Sequence, residues 1–237
     1  LLNHGDGTFQ DAASYALSDS WSVLAADLNG DKRPDLVVRG EQSVYVLLNR
    51  GDGTFQDAAS YRAIGGGDLV AIDLNGDGAI DMATNGAFDL YVLLNRGDGT
   101  FQDAMTYPAG GRLLLAADLN DDRKIDLLTR ENGFSVFLNR GDGTFLGPAS
   151  YPAGGGNFIA ADLNGDGKLD LATSSVSVLL NKGDGTFRDA ASYASLGNSL
   201  LAADLNGDGR PDLAGVGEVG PDPSLHLSVL LNRGDGT

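Results

Sequence analysis

Residues 73–81 read DLNGDGAID, and the frame D-x-N-x-D-x-x-x-D returns at 27–35, 118–126, 162–170 and 204–212. The five starts lie 46, 45, 44 and 42 residues apart. A period of this length belongs to propeller blades and to some helical arrays. In the second copy LVAID precedes the acidic loop and IDMAT follows it; then come LYVLLN, the turn RGDG and TFQDAMTY. These runs are short, rich in β-branched, aliphatic and aromatic residues, and bounded by Gly, Asn and Asp, so they read as strands. No 3.6-residue apolar period lasts for ten residues, which excludes the helical arrays. Four strands per repeat make one blade of a β-propeller.

The expectation is an all-β chain, a single propeller domain over 1–237 built of four-stranded blades. Five blades are preferred, and a fragment of a six- or seven-bladed array is the alternative. A strand-4 segment precedes the first acidic loop, and five sets of strands 1–3 follow with four further strand-4 copies between them. The first strand 4 could therefore pair with the last strand 3 and close a five-bladed ring, which would protect the blade edges. Residues 1–8 (LLNHGDGT) and 230–237 (LLNRGDGT) share one phase of the repeat, and no signal peptide is visible. The chain reads as a piece of a longer or processed polypeptide.

Composition narrows the function. The net charge of -17 argues against a nucleic-acid or anionic-membrane partner, and no segment is long and apolar enough to insert in a bilayer. Of 33 acidic residues only Glu41, Glu131 and Glu218 are Glu. Asp favours turns and metal loops over helix, so this imbalance also points to a loop-rich β protein. There is no cysteine, and His4 and His226 have no recognisable catalytic partners. With no HExxH and no phosphate-cradling loop, the chain is not expected to be an enzyme.

Each acidic loop offers hard oxygen donors at alternate positions. The side chains are Asp27, Asn29, Asp31 and Asp35; Asp73, Asn75, Asp77 and Asp81; Asp118, Asn120, Asp122 and Asp126; Asp162, Asn164, Asp166 and Asp170; Asp204, Asn206, Asp208 and Asp212. Position 7 would add the main-chain carbonyl of Arg33, Ala79, Lys124, Lys168 or Arg210, where the side chain is free to vary. This set suits Ca2+, which takes six to eight oxygens, better than Mg2+, which demands a tight octahedron and keeps its waters. Up to five ions, one per repeat, would bring the formal charge from -17 to -7 (-17 + 10). Position 6 is Gly78, Gly167 and Gly209 in three loops but Lys32 and Arg123 in the first and third, and Asp121 replaces the Gly of position 4. A non-Gly residue in a left-handed conformation costs roughly 1 kcal/mol, which sets those two loops apart. The bland alternative is an Asp/Asn-rich turn without metal.

The D-x-N-x-D-G-x-x-D loop between two short strands, followed by VLLN-x-GDGTF, resembles the FG-GAP/VCBS repeats of integrin-α-like β-propellers, over essentially the whole chain. The resemblance implies calcium bound in the loop between strands 1 and 2. It implies service in adhesion, in sugar binding or as a non-catalytic module of secreted proteins.

Two further motifs recur. Phe9/Tyr15, Phe55/Tyr61, Phe101/Tyr107, Phe145/Tyr151 and Phe187/Tyr193 are each six apart and read as packing between blades. Arg-Gly-Asp occurs at 50–52, 96–98, 140–142 and 233–235, but His4 and Lys182 replace the Arg elsewhere. Asp-Gly between strands is the preferred type I′ hairpin turn, so the motif reads as a turn. The loops that differ between repeats share the opposite face of the disc. Trp21, Arg39, Phe88, Arg112, Arg130, Asn157 and Asn198 are the candidate ligand-binding residues there.

The expected function is a calcium-stabilised binding or scaffolding module for protein interaction or adhesion, extracellular or on the cell surface. One alternative is a calcium-dependent carbohydrate-binding lectin, which calls for similar polar-aromatic pockets between blades. The other is a structural subunit of a surface assembly or filament. Partner identity and oligomeric state are left open.

Overall fold

The computed structural model describes residues 5–234 except 10–12, 19, 65–66, 109–110, 112, 132, 154–156, 176, 189–190, 194–195, 197–198 and 220–221. Its described residues are strands, turns and bends, with no helix and so none long and apolar enough to cross a membrane.

Five antiparallel sheets follow one another along the chain. The first holds β1 (Ser20–Ala26), β2 (Asp35–Gly40), β3 (Ser43–Leu47) and β4 (Ala59–Arg62), and the second holds β5 (Leu69–Ile72), β6 (Asp81–Asn85), β7 (Asp89–Leu93) and β8 (Met105–Pro108). The third holds β9 (Leu113–Ala117), β10 (Asp126–Arg130), β11 (Gly133–Phe137) and β12 (Ala149–Pro152), and the fourth β13 (Phe158–Ala161), β14 (Asp170–Thr173), β15 (Ser177–Leu179) and β16 (Ala191–Ser192). The fifth has three strands, β17 (Leu201–Ala203), β18 (Asp212–Val219) and β19 (Asp222–Leu230). Every sheet is a meander in sequence order, the pattern of one propeller blade. The fourth strand expected on the fifth sheet is not present among the described residues.

The acidic loops connect the first two strands of the sheets, as the spacing required. Ala26 pairs with Asp35, Ile72 with Asp81, Ala161 with Asp170 and Ala203 with Asp212, so the last Asp of the motif opens the second strand. The GDG turns are wider than a two-residue type I′ hairpin. The bridges Asn49–Phe55, Asn95–Phe101, Asn139–Phe145 and Asn181–Phe187 enclose five residues each. Positive φ falls on the two glycines, Gly51 at 84° and Gly53 at 86°, and not on the Asp between them.

The chain forms two compact units, residues 1–114 with 141–144, and residues 115–140 with 145–237. In the first, Leu28, Val37, Val44, Val46, Met82, Leu93 and Phe101 form the core. In the second, one cluster gathers Leu119, Leu128, Phe134, Val136, Leu171 and Phe187, and another gathers Leu163, Ala172, Val178, Leu196 and Leu213. The Phe/Tyr repeat packs across repeats rather than within one strand. Tyr15 meets Phe55, Tyr61 meets Phe101 and Tyr151 meets Phe187, edge to face with centroids 5.8, 5.4 and 5.4 Å apart.

Candidate functional site

The acidic loops share one hydrogen-bonding scheme. In the second, Asp73 Oδ1 accepts from Gly76 N at 2.7 Å and Oδ2 from Gly78 N at 2.9 Å. Asn75 Oδ1 accepts from Asp77 N, and Asp77 Oδ1 from Ala79 N. The buried Asp81 accepts from Leu74 N and Asn95 N. All five loops have positive φ at positions 4 and 6, including Lys32 at 66°, Asp121 at 61° and Arg123 at 66°. The first and third loops therefore reach the common conformation against their own steric preference.

The Asn that ends each VLLN run is a positioning residue that the motif search passed over. Asn95 Nδ2 donates to Leu28 O at 2.7 Å and Ile80 O at 2.9 Å, tying two successive acidic loops together. Asn181 does the same for Leu119 and Leu169, and Asn232 for Leu163 and Pro211. Its appearance in all five repeats as Asn49, Asn95, Asn139, Asn181 and Asn232 was the available signal.

Position 5 pairs with a cation at position 7 in four loops: Asp31 with Arg33 at 2.6 Å, Asp122 with Lys124 at 3.2 Å, Asp166 with Lys168 at 3.5 Å and Asp208 with Arg210 at 4.0 Å. The second loop has Ala79 there. The Arg33 hydrogen bond holds the Asp31 carboxyl below the usual range. Burial pushes Asp81, Asp126 and Asp170 up, opposed by the main-chain N–H groups they accept from. Among the described residues no three such side chains gather into a group that could hold a metal ion. The donor chemistry nevertheless fits a hard cation, since every side-chain donor in the motif is a carboxylate or an amide oxygen. Accepting one N–H leaves a carboxylate oxygen with lone-pair capacity, so these bonds orient the donors without exhausting them.

The expected variable face is only partly open. Arg39 is fully buried; its Nε donates to Thr84 Oγ1 at 2.7 Å and its Nη1 to Gly40 O and Ala63 O. Arg130 is 5 % exposed, with its guanidinium over the Phe134 ring. Both were expected as ligand contacts. Arg39 instead stands against the Ala63 carbonyl that follows β4 and Arg130 against Phe134 of β11, at a position that Asn85 and Ser174 fill in the second and fourth sheets. There Gly67 N donates to Asn85 O and Ser174 N to Asn157 O. Phe88 is 82 % exposed and Asn157 is also exposed, as expected. Arg112, Asn198 and the Trp21 side chain lie outside the described residues.

The Arg-Gly-Asp segments are built as turns. Asp52 Oδ1 accepts from both the N–H and the hydroxyl of Thr54, and Asp98 repeats this with Thr100. A Cβ on the second glycine would stand 2.7 Å from Leu48 at Gly99 and 2.6 Å from Leu94 at Gly143, so each turn packs on the repeat before it.

Two related grooves lie in the first unit, each of about 460 Å³. One is lined by Tyr15, Tyr45, Asp57, Ala58 and Ser60, the other by Tyr61, Tyr91, Asp103, Ala104 and Thr106. These are the same five positions of two successive repeats. Ser18 Oγ and Tyr45 Oη are hydrogen bonded at 2.7 Å in the first groove, and Arg62 borders the second. The third sheet carries Ser135 and Gly147 at the positions of Tyr45 and Asp57, so the pattern is confined in sequence to the first two sheets. Sequence reasoning did not single out these grooves, because Tyr15 and Tyr61 read as packing and Tyr45 and Tyr91 recur in only two repeats.

The fold has solved counterparts. An Agrocybe aegerita lectin, described as recognising non-reducing terminal N-acetylglucosamine, aligns at 25 % identity and a TM-score of 0.61, over 99 % of this chain and 71 % of the lectin. The V. cholerae biofilm matrix protein Bap1 aligns at 20 % identity and a TM-score of 0.55, over 93 % of this chain and 40 % of its own. No curated protein matches the sequence. The model of the FG-GAP-like repeat matches residues 1–38, 27–84, 73–129, 118–173 and 172–215. With five successive matches that together span residues 1–215 and each include an acidic loop, the chain belongs to the FG-GAP-like repeat family.

Proposed function

We propose that this chain is a calcium-stabilised, extracellular glycan-binding module without catalytic activity. The observation that carries the reading is the recurrence of one polar-aromatic groove in two successive repeats. Each groove combines tyrosine faces, on which a sugar ring can stack, with a carboxylate and hydroxyls that match sugar hydroxyls. Its volume lies in the range of small-ligand sites. The lectin's resemblance to this chain supports the same reading. The five sheets are taken as blades of one propeller, with five blades as the preferred count. The acidic loops would hold Ca2+ through Asp73, Asn75, Asp77 and Asp81 and their counterparts. A bound ion would join carboxylates that otherwise repel, which stiffens the hairpin that precedes the groove-forming strands in each repeat. A glycan array, read with calcium and with chelator, tests the reading: selective binding to a sugar class supports it, and an array without signal from folded protein contradicts it.

A protein partner is the second reading. It is favoured by Phe88, whose ring stands 82 % exposed on the loop between β6 and β7. The variant Phe88→Ala separates the two: it leaves glycan binding intact and weakens capture of a protein ligand.

A further inference from the structure

Position 7 of the acidic loop offers a main-chain carbonyl, for which any side chain would serve. Yet Arg33, Lys124, Lys168 and Arg210 hold it in four loops, and Ala79 in the second. The four cations stand at one place. In the first loop Asp31 Oδ1 accepts from Arg33 N at 2.9 Å, while Oδ2 accepts from Arg33 Nε at 3.1 Å and Nη2 at 2.6 Å. One residue thus takes both oxygens of the position-5 carboxylate. The third loop repeats this, with Lys124 N on Asp122 Oδ1 at 2.9 Å and Lys124 Nζ on Oδ2 at 3.2 Å. In the fourth and fifth loops Lys168 and Arg210 face Oδ2 of Asp166 and Asp208 in the same way, at longer range.

The second loop has the same main-chain bond and no cation. Ala79 N donates to Asp77 Oδ1 at 2.8 Å, and Oδ2 accepts from the neutral amide of Asn75 at 2.9 Å. The GDG turn of each repeat records the difference. A Cβ on its first glycine would stand 2.6 Å from Arg33 at Gly51, 2.5 Å from Lys168 at Gly183 and 2.5 Å from Arg210 at Gly234. At Gly97, in the second repeat, it would meet nothing within 4 Å. Lys168 Nζ and Arg210 Nη1 also donate to Lys182 O and Arg233 O, at 3.3 and 3.1 Å. The cationic arm is therefore held by the acidic loop and the turn together. Oδ1 of position 5 is turned to the main-chain N–H, so Oδ2 has more lone-pair capacity left for an ion, and Oδ2 is the oxygen that the cation covers.

We infer that the position-7 side chain is a built-in counterion that sets the calcium affinity of its loop, and that the loop at 73–81 binds calcium more tightly than the other four. This rests on the calcium-binding role proposed above. A tethered cation balances the position-5 carboxylate while no ion is bound and repels a divalent ion that enters. In exposed, high-dielectric surroundings a unit charge a few ångströms from such an ion changes its affinity by about tenfold.

Isothermal titration of the metal-free full chain with calcium should resolve one tight site and a weaker set. Ala79→Arg should weaken the tight site about tenfold, and added salt should shrink that difference. Ala79→Gln, of similar reach without the charge, should leave the tight site in place. Lys168→Ala should add a second tight site. Four loops already carry a cation at this position, so Ala79→Arg should melt no lower than the unaltered chain in chelator. Calcium binding indifferent to Ala79→Arg and Lys168→Ala would overturn the inference and leave the calcium reading standing. So would a loss in Ala79→Gln equal to that in Ala79→Arg. No calcium uptake by the unaltered chain would overturn both.

Discussion

At the residue scale, Asn95 bears more on order in the acidic loops than its neutral side chain suggests. It is 2 % exposed and its amide satisfies carbonyls of two loops. Asn95→Ala leaves Leu28 O and Ile80 O without that donor, which should cost about 1–3 kcal/mol in urea unfolding. Asn49→Ala removes one such bond, to Pro34 O, from a more exposed site and should cost less. The turn aspartates carry a pH dependence. Hydrogen bonds from the Thr hydroxyl, then from the Thr N–H, lower the pKa of Asp6, Asp52, Asp98 and Asp184. Their contribution is complete above the unfolded carboxylate pKa and is lost as pH falls through the lower folded value. Urea midpoints should therefore drop in acid, and Asp98→Asn should flatten that slope. An unchanged slope would mean that the turn does not titrate with folding.

At the element scale, the acidic hairpin is the unit that recurs. Its positive-φ positions held by Lys32 and Arg123 are strained where the other loops have glycine. Lys32→Gly should stabilise the first loop by up to about 1 kcal/mol, and Gly78→Val should destabilise the second by more, since a β-branched residue resists that conformation. Differential scanning calorimetry of the two variants checks the pair. The hairpins and their meander order were legible in the sequence because both arise from neighbours in the chain. Strand alternation, Gly at left-handed positions and Asp at loop starts all act within a few residues. What was not legible is non-local. Arg39 and Arg130 look like surface residues by charge, but Arg39 is buried against Ala63 and Thr84, distant in sequence, and Arg130 over the Phe134 ring. The Phe/Tyr repeat was legible as packing between repeats, but which ring meets which, Tyr15 with Phe55 and Tyr61 with Phe101, was not.

At the scale of the whole molecule, the acidic loops proposed to hold calcium and the grooves proposed to hold a glycan are formed by different residues of each repeat. Each acidic loop concentrates carboxylates, so an ion that binds only the folded state stabilises by RT ln(1 + [L]/Kd) at each site. Chelator should lower the melting temperature and calcium restore it, with Mg2+ much less effective. An identical melting curve in both, with no metal by elemental analysis, would remove the metal from the account. The grooves belong to the first two sheets, where Tyr45, Tyr91, Asp57 and Asp103 coincide, so binding should be unequal along the array. Isothermal titration of the calcium-loaded protein with the best sugar from the array tests this most directly. The account predicts two equivalent sites per chain, both abolished in Asp57→Ala/Asp103→Ala while its melting temperature stays within a few degrees. Unchanged binding in that folded double variant would contradict it.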